Sequence, residues 1–269
     1  MKLGLVGCGR MGKALAVGAM EAGAVAAADF LAYDVRPEAV EELSREHGIR
    51  AAANLHELVT RCDVLLLCTK PDDVLTVLRE VASSGTEENR LLILSIAAGV
   101  TVQTIERHIF NHARVIRAMP NTPALIGKGA AAYTLGSAAT EEDAKIARRL
   151  LGAVGSVVQV KESLMDTVTG LSGSGPAYVY LLIEALADGG VRNGLPRDQA
   201  LQLATQTVLG AAAMVQSTGL HPAVLKDMVA SPGGTTIAGL AALEAKGFRS
   251  ACIDAVTAAT ERSKELGKA

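Results

Sequence analysis

Three glycines at the start of the chain have the spacing of a dinucleotide-binding loop. The segment Gly7-Cys8-Gly9-Arg10-Met11-Gly12 follows a short apolar run that ends at Val6, and a helical pattern comes directly after it. Gly7 permits a tight turn, Gly9 lets a pyrophosphate approach the backbone, and Gly12 lets the helix pack closely on the strand. The helix N-terminus adds free N–H groups and a partial positive charge. We therefore predict a dinucleotide site here, with a glycine-rich structural turn as the alternative.

The next apolar run ends in residues that could read the adenosine ribose. Asp34 stands at the end of this predicted strand, where a carboxylate accepts hydrogen bonds from ribose hydroxyls and repels a 2′-phosphate. Arg36 follows two residues later and could instead pair with a phosphate. The two signals conflict, and Asp34 favours NADH slightly.

Three further loops follow predicted strands and contain residues suited to a cofactor cleft. In an open α/β sheet, ligands bind beyond the carboxyl ends of the strands. The loops are Cys68-Thr69-Lys70-Pro71, Ile96-Ala97-Ala98 and Met119-Pro120-Asn121. Lys70 could approach the phosphates or the nicotinamide, the small residues around Ala97 leave room for a flat ring, and the prolines stiffen the loop around Asn121. Ordinary loop chemistry is the alternative for each of them.

A fourth segment, Ser231-Pro232-Gly233-Gly234-Thr235-Thr236, precedes a helical pattern late in the chain. Its adjacent glycines let successive N–H groups converge, and the hydroxyls and the helix N-terminus suit a small carboxylate. The alternative is a Ser/Thr N-cap after a Pro-Gly turn.

The glycine spacing at Gly170, Gly173 and Gly175 is similar to that of hydroxyacid dehydrogenases related to 6-phosphogluconate dehydrogenase. Those enzymes carry a lysine four residues after the last glycine, as the acid/base for an alcohol. Here Val179 stands at that position, and Ile183 stands where they carry asparagine. Because reducing a carbonyl needs a proton donor to its oxygen, this departure favours a substrate that protonates easily, such as an imine.

Strand and helix patterns alternate through the first half of the chain, which predicts a doubly wound α/β sheet of the Rossmann type. Strands are predicted at 2–6, 27–34, 49–52, 63–68, 91–95, 115–118, 130–135 and 154–160. After Lys161 only helical patterns follow, with breaks at Gly173–Pro176, Gly189-Gly190, Gly194–Pro196 and Ser231–Gly234. We predict a dinucleotide-binding domain over 1–160 and an all-α dimerisation and substrate domain over 161–269.

The helices of the second domain are apolar on nearly every side, which favours burial all round. About 108 residues cannot easily bury such helices alone, so an interlocked dimer is predicted. An ordinary compact helical bundle is the alternative.

The composition predicts a globular protein with a large apolar core, and it argues against nucleic-acid-binding, metal-binding and membrane-spanning proteins. Hydrophobic residues make up 49% of the 269 residues, which is enough for a large core, and the net charge of −2 argues against a nucleic-acid surface. The four cysteines and five histidines lack metal-ligand spacing, so no metal site is predicted. We expect no membrane span and a cytoplasmic protein, because no apolar run is long enough and no signal segment is evident.

Taken together, these segments resemble the pyrroline-5-carboxylate reductase family over nearly the whole chain. The most specific matches are the following motifs: Val115–Pro123, Val168–Tyr178, Ala187–Val191, Gly194–Pro196, His221-Pro222, Leu225–Asp227, Ser231–Thr236 and Gly247–Arg249. The family reduces the C=N bond of 1-pyrroline-5-carboxylate to L-proline with NADPH or NADH, the last step of proline biosynthesis. The resemblance implies a homodimer whose active site combines both subunits, in many relatives assembled into five dimers.

The resemblance also assigns roles to individual residues. Thr236 is expected to hydrogen-bond the ring nitrogen, and Ser231 with the N–H groups around Gly233, Gly234 and Thr235 is expected to hold the carboxylate. Asn54 matches an asparagine near the adenosine end, and the loops named above match the cofactor contacts. NADPH-preferring relatives tend to carry serine or asparagine at the position of Asp34, so the preference between NADH and NADPH stays open. Reduction of another cyclic imine and a non-catalytic dinucleotide sensor are the alternative functions.

Overall fold

A computed structural model describes residues 1–84, 91–109 and 113–267. Within them, the first half of the chain forms one eight-stranded sheet with the order β3-β2-β1-β4-β5-β6-β7-β8. Neighbouring strands run parallel except β6 and β7, which are antiparallel. The strands are β1 Leu3–Val6, β2 Phe30–Tyr33, β3 Arg50–Ala51, β4 Val64–Leu67, β5 Leu92–Ser95, β6 Arg114–Met119, β7 Gly129–Leu135 and β8 Gly155–Gln159.

Helices connect these strands and cover the sheet. They are α1 Arg10–Glu21, α2 Pro37–His47, α3 Leu55–Arg61, α4 Pro71–Ser84, α5 Val102–Arg107 and α6 Glu141–Gly152. Every residue of β4 and β5 is buried, and two apolar clusters form the core. Strands buried on both faces read as unbroken apolar runs, which is why these two were evident from the sequence. The doubly wound sheet is confirmed.

Helix boundaries follow local capping chemistry. Thr101 and Thr140 cap α5 and α6 with their side chains, and Thr140 forms a reciprocal capping box with Asp143. The fully buried Asp143 carboxylate also accepts from Arg114 at 2.6 Å, which joins α6 to β6. The second strand is shorter than the predicted 27–34, because Ala27–Asp29 forms a 3₁₀ turn ahead of β2.

Only helices follow β8 in the described chain, as predicted. They are α7 Met165–Val168, α8 Gly175–Arg192, α9 Arg197–Thr218, α10 Pro222–Val229, α11 Thr235–Ala245 and α12 Phe248–Leu266, with a π-helical turn at Thr169–Gly173. The backbone divides into two compact units: unit 1 holds Met1–Ser174 and the end of α12 from Ala258, and unit 2 holds Gly175–Thr257.

The predicted break at Gly189-Gly190 is wrong, because α8 continues through both glycines. A Cβ on Gly190 would lie 3.1 Å from the Cβ of Ala200 and 3.2 Å from Cδ1 of Leu195. The glycine therefore serves the close packing of α8 on α9 rather than a turn. No helix in the described residues is long and apolar enough to cross a membrane.

Candidate cofactor and substrate sites

The predicted cofactor loops lie together at one edge of the sheet in unit 1. Strands β1, β2, β4, β5 and β6 are mutually parallel, so their carboxyl ends meet at that edge. Backbone hydrogen bonds join the strand ends: Gly7 donates to the Tyr33 carbonyl at 3.0 Å, Cys68 to Val6 at 2.8 Å and Ile96 to Leu67 at 3.1 Å. The three loops and the glycine-rich turn therefore share one cleft edge, at the point where the strand order reverses between β1 and β4.

The three glycines of the loop have distinct geometries. Gly7 has a φ of 94°, and a Cβ there would lie 2.6 Å from the Cys68 carbonyl oxygen. A Cβ on Gly12 would lie 2.1 Å from the Gly7 oxygen, so α1 packs directly on the turn. A Cβ on Gly9 would meet no atom within 4 Å. Gly7 and Gly12 are therefore required by the fold, whereas Gly9 leaves open space beside the backbone.

Because the two glycines differ in this way, Gly9→Ala tests cofactor binding and Gly7→Ala tests the stability of the fold. Gly9 has ordinary backbone angles, φ −69° and ψ −177°, so we expect Gly9→Ala to keep the wild-type melting temperature. Its methyl group occupies the space left for a phosphate, and we expect the dissociation constant for NADPH to rise about tenfold or more. Gly7→Ala forces an alanine to a positive φ and into the Cys68 backbone, which we expect to destabilise the fold by about 1–3 kcal/mol. Thermal melts and cofactor fluorescence titrations separate the two effects; equal melting temperatures for both variants would contradict this assignment.

Polar groups around the loop fit a dinucleotide. Gly9 is the N-cap of α1 and no side chain caps the helix, so the N–H groups of its first turn remain available for an anion. The hydroxyl Oγ1 of Thr69 is buried with no hydrogen-bond partner among the described residues. Lys70 is exposed and Pro71 begins α4. An uncapped helix N-terminus and an unpartnered hydroxyl at the same sheet edge are what a phosphate-bearing ligand would satisfy.

Two thiols lie at this edge and are held in their neutral form. Burial, together with the nearby Asp34 charge, raises the pKa of Cys8 to about 12. Burial also raises the pKa of Cys68. Neutral thiols place no negative charge beside the position that we predict for the pyrophosphate.

Asp34 holds the glycine-rich loop in place. Its side chain is only 8% exposed, and its two oxygens accept the backbone N–H groups of Cys8 at 2.7 Å and Arg36 at 2.9 Å. The guanidinium Nε of Arg36 lies 3.6 Å from the same carboxylate, and the Arg36 side chain is 67% exposed. Asp34 is thus fixed at the end of β2, while most of the Arg36 side chain is open to solvent.

Asn54 caps a helix. Its side-chain oxygen accepts the Glu57 N–H at 2.8 Å at the start of α3, and Glu57 in turn accepts from the backbone N–H of Ala53. This N-cap was missed in the sequence, although Asn followed three residues later by Glu is a signature of a helix N-terminus. No residue in the described part of the chain bonds the amide nitrogen of Asn54, so this nitrogen can donate to a ligand.

Asn121 makes contacts that the sequence did not reveal. The side chain is buried, donates from Nδ2 to the Ser172 carbonyl at 2.9 Å and accepts the Ala130 N–H at 2.8 Å. The π-helical turn that contains Ser172 was also missed; its one sequence signal is the glycine pair Gly170 and Gly173. Both sets of contacts lie within unit 1.

The predicted carboxylate loop lies in unit 2 at the start of α11. Gly233 has a φ of 67°, and the Gly234 N–H donates to the Ser231 carbonyl at 3.1 Å. A Cβ on Gly234 would lie 2.2 Å from the Ser231 hydroxyl oxygen, so a larger residue there would need that hydroxyl to rotate away. No side chain caps α11. The loop therefore folds as a tight turn that leaves the first N–H groups of an 11-residue helix free of capping.

The Thr236 hydroxyl differs from the threonine hydroxyls of α9 and of Thr257 in α12. Thr205, Thr207 and Thr218 each donate to the carbonyl four residues earlier in α9, and Thr257 does so in α12. Thr236 stands in the first turn of α11, half-buried, and no described residue hydrogen-bonds its hydroxyl. It is therefore available to a ligand at the helix N-terminus.

Two family models match the chain. Residues 162–266 match the model described as pyrroline-5-carboxylate reductase dimerisation, and residues 2–99 match the model described as NADP oxidoreductase coenzyme F420-dependent. The two matches correspond to the late helices and to the glycine-rich part of the sheet.

Several relatives that match over almost the full length of the chain are pyrroline-5-carboxylate reductases. The chain is 48% identical over 267 residues to the pyrroline-5-carboxylate reductase of Methanosarcina acetivorans and 42% identical to that of Escherichia coli, each covering 99% of this chain and 98% of the relative. A solved pyrroline-5-carboxylate reductase from Coxiella burnetii superposes with a TM-score of 0.94 at 32% identity over 98% of both chains. A Plasmodium falciparum pyrroline carboxylate reductase solved with NADP bound superposes with a TM-score of 0.84 at 34% identity, over 99% of this chain and 98% of that one. Identity at this level over the whole length shows common descent, and the chain belongs to the pyrroline-5-carboxylate reductase family.

Proposed function

We propose that this protein reduces the C=N bond of 1-pyrroline-5-carboxylate to L-proline, using NADPH or NADH. Family membership over the full length supports the reaction. The observation that carries it is the start of α11, where an uncapped helix N-terminus and the unpaired Thr236 hydroxyl adjoin the Ser231–Gly234 turn. This combination suits an anion with a neighbouring nitrogen, which describes a cyclic imino acid.

The substrate's carboxylate is assigned to the turn before α11. The Ser231 hydroxyl and the N–H groups of Gly234 and Thr235 supply donors, with Gly233 providing the positive φ that the turn needs. The Thr236 hydroxyl hydrogen-bonds the ring nitrogen. A cyclic imine is more basic than a ketone, so its nitrogen takes the proton from solvent or a hydroxyl, and the electron-poor C5 accepts hydride. The bound reduced nicotinamide supplies that hydride.

Unit 1 is assigned to the cofactor. The N–H groups of Arg10, Met11 and Gly12 bind the pyrophosphate beside the open face of Gly9, with Val6, Gly7 and Cys8 forming the turn. Asp34, Arg36 and Asn54 hold the adenosine end. The loops Cys68–Pro71 and Ile96–Ala98 line the path to the nicotinamide, and the buried Thr69 hydroxyl gains a partner there. Catalysis then depends mostly on positioning the imine beside the nicotinamide. Holding two reactants in this way can lower the activation barrier by about 7–11 kcal/mol.

Cofactor preference depends on Asp34 and Arg36. In Asp34→Asn an oxygen still accepts a loop N–H while the charge that repels a 2′-phosphate is lost, so we expect the ratio of kcat/KM for NADPH over NADH to rise about tenfold. In Arg36→Gln the same ratio falls. Comparing ratios cancels any general loss from a loosened loop, and an unchanged ratio in both variants would show that the preference is set elsewhere.

The assembly and location belong to the same proposal. We infer a dimerisation and substrate domain over 161–269, which the match to residues 162–266 supports, after a dinucleotide-binding domain over 1–160. In unit 2 only Ala187, Ala200 and Ala204 are buried apolar residues among those described. A unit with so small a core needs a partner surface, so the protein forms a homodimer, with a decamer of five dimers as its larger form. We place it in the cytoplasm.

The test is a spectrophotometric assay with 1-pyrroline-5-carboxylate and, separately, the six-membered piperideine-2-carboxylate. A clear preference for the five-membered ring is the expected result. Faster turnover of the six-membered ring would assign the protein to a different imine.

A further inference from the structure

We propose that Asn121 is a positioning residue, which holds the π-helical turn Thr169–Gly173 at the carboxyl edge of the sheet and acts on hydride transfer through that turn. This inference rests on the proposed reductase activity. It assigns Asn121 a role other than direct contact with the cofactor.

The side-chain amide of Asn121 is committed to two tertiary hydrogen bonds. Nδ2 donates to the carbonyl of Ser172, 51 residues away, at 2.9 Å, and Oδ1 accepts the N–H of Ala130 at 2.8 Å. The residue is 8% exposed. A buried amide is costly unless both ends are bonded. Here both ends are bonded, and the two bonds join three segments of unit 1.

From its position in the chain alone, Asn121 would be expected to cap the turn that follows it. It precedes the 3₁₀ turn Thr122–Ile126 as its N-cap, a position where asparagine side chains commonly accept an N–H from the following turn. Here the side chain makes no such cap, because its oxygen is directed to Ala130 at the start of β7. The Asn121 side chain therefore forms two tertiary hydrogen bonds in place of the local capping bond.

The turn that Asn121 holds is an irregular one. Between α7 and α8 the helix widens to π geometry over Thr169–Gly173, and the Ser174 N–H donates to the Thr169 carbonyl at 2.8 Å. Such single turns within helices are often found at functional sites. A Cβ on Gly173 would lie 2.8 Å from Cε of Met119, so the turn also packs directly on the end of β6. Met119 and Asn121, two residues apart, thus contact the same turn.

The loop of Asn121, which contacts the π-helical turn, lies next to the loop that we assign to the nicotinamide. The loop that carries Asn121 follows β6, which lies parallel and adjacent to β5. The loop after β5, Ile96–Ala98, is the one that we assign to the nicotinamide. The two loops leave the same edge of the sheet side by side, and the π-helical turn is fixed to the second of them. A shift of this turn therefore changes the surroundings of the hydride donor without removing a cofactor contact.

The experiment compares Asn121→Ala, Asn121→Asp and Ser172→Ala with the wild type. Asn121→Asp keeps the acceptor for Ala130 but loses the donor and places a carboxylate against the Ser172 carbonyl. Ser172→Ala is the matched control, because it keeps the carbonyl that Asn121 uses and removes only a hydroxyl bonded to the Val168 carbonyl. For each variant, kcat, the KM for imine, the NADPH dissociation constant by cofactor fluorescence, and hydrogen exchange over 166–176 are measured.

A positioning role predicts that both Asn121 variants lose about 10- to 100-fold in kcat. It also predicts an NADPH dissociation constant within about twofold of the wild type, in line with the same positioning argument, faster exchange over 166–176, and a Ser172→Ala variant close to the wild type. Weaker NADPH binding with unchanged kcat would overturn the proposal and make Asn121 a direct cofactor contact. Unchanged exchange over 166–176 would also overturn it. If the wild type fails to reduce the imine, the proposed reaction is wrong, and the exchange data still decide whether Asn121 holds the turn.

Discussion

Thr236→Ala should lose about 10- to 100-fold in kcat/KM for 1-pyrroline-5-carboxylate while binding NADPH as the wild type does. In our account the hydroxyl oxygen accepts a hydrogen bond from the protonated ring nitrogen of the substrate, and a hydrogen bond to a charged group contributes about 1.5–3 kcal/mol. The hydroxyl has no partner within the described chain that would be lost with it. The melting temperature should therefore stay at the wild-type value. Steady-state kinetics, a cofactor titration and a thermal melt check the three parts.

Two further variants sharpen this test. Thr236→Ser retains the hydroxyl and should recover most of the activity, whereas Thr236→Val keeps the shape and should behave like alanine. Thr60→Ala removes a hydroxyl that donates within its own helix, α3 of unit 1, and it should leave kinetics unchanged. Wild-type turnover in Thr236→Ala would remove the role that we give this hydroxyl.

Leu209→Glu should convert the protein to monomers and abolish most of its activity. Leu209 lies in α9 with 58% of its surface exposed, within a unit whose buried apolar core consists of three alanines. In our account this surface is covered by a second copy, so the substitution would bury an unpaired carboxylate, which costs several kcal/mol. Light scattering should then give the 27.7 kDa mass of one chain instead of twice that value or more.

The matched control for this substitution is Val158→Glu. Val158 is 56% exposed, and its strand, β8, is the last of the sheet order. Val158→Glu also replaces an apolar side chain with a carboxylate, but it lies outside the proposed interface. The oligomer mass and the activity of this variant should therefore stay at wild-type values. A Leu209→Glu variant that kept both the oligomer mass and the turnover would contradict the proposed interface.

Sequence patterns predicted well what local chemistry determines. The sequence predicts a helix over Pro37–His47 with proline at its start, and α2 has these bounds, since Gly48 ends it with a φ of 71°. The buried strands β4 and β5 were evident from unbroken apolar runs. The glycine-rich loop was recognised from spacing, and the positive φ of Gly7 together with the open space at Gly9 gives that spacing its physical reason.

What the sequence did not reveal depends on contacts between distant segments. Asp34 was interpreted as a ribose-binding residue, yet its bond to the Cys8 N–H joins residues 26 apart in the chain. Asn121 reaches Ser172 across 51 residues. The glycine pair at 189 and 190 resembled a break, yet α8 continues through it, and Gly190 lets α9 approach closely. Periodicity and propensity carry no information on such pairs, so these contacts needed the folded chain.

The central claim, reduction of a cyclic imine by a bound nicotinamide, is tested most directly by one absorbance measurement. Purified protein is mixed with 1-pyrroline-5-carboxylate and either NADH or NADPH, and the loss of reduced nicotinamide is followed. We predict rapid loss with at least one cofactor, in proportion to protein concentration, with proline as the product. No loss with either cofactor, in protein that still binds NADPH or NADH, would contradict the account.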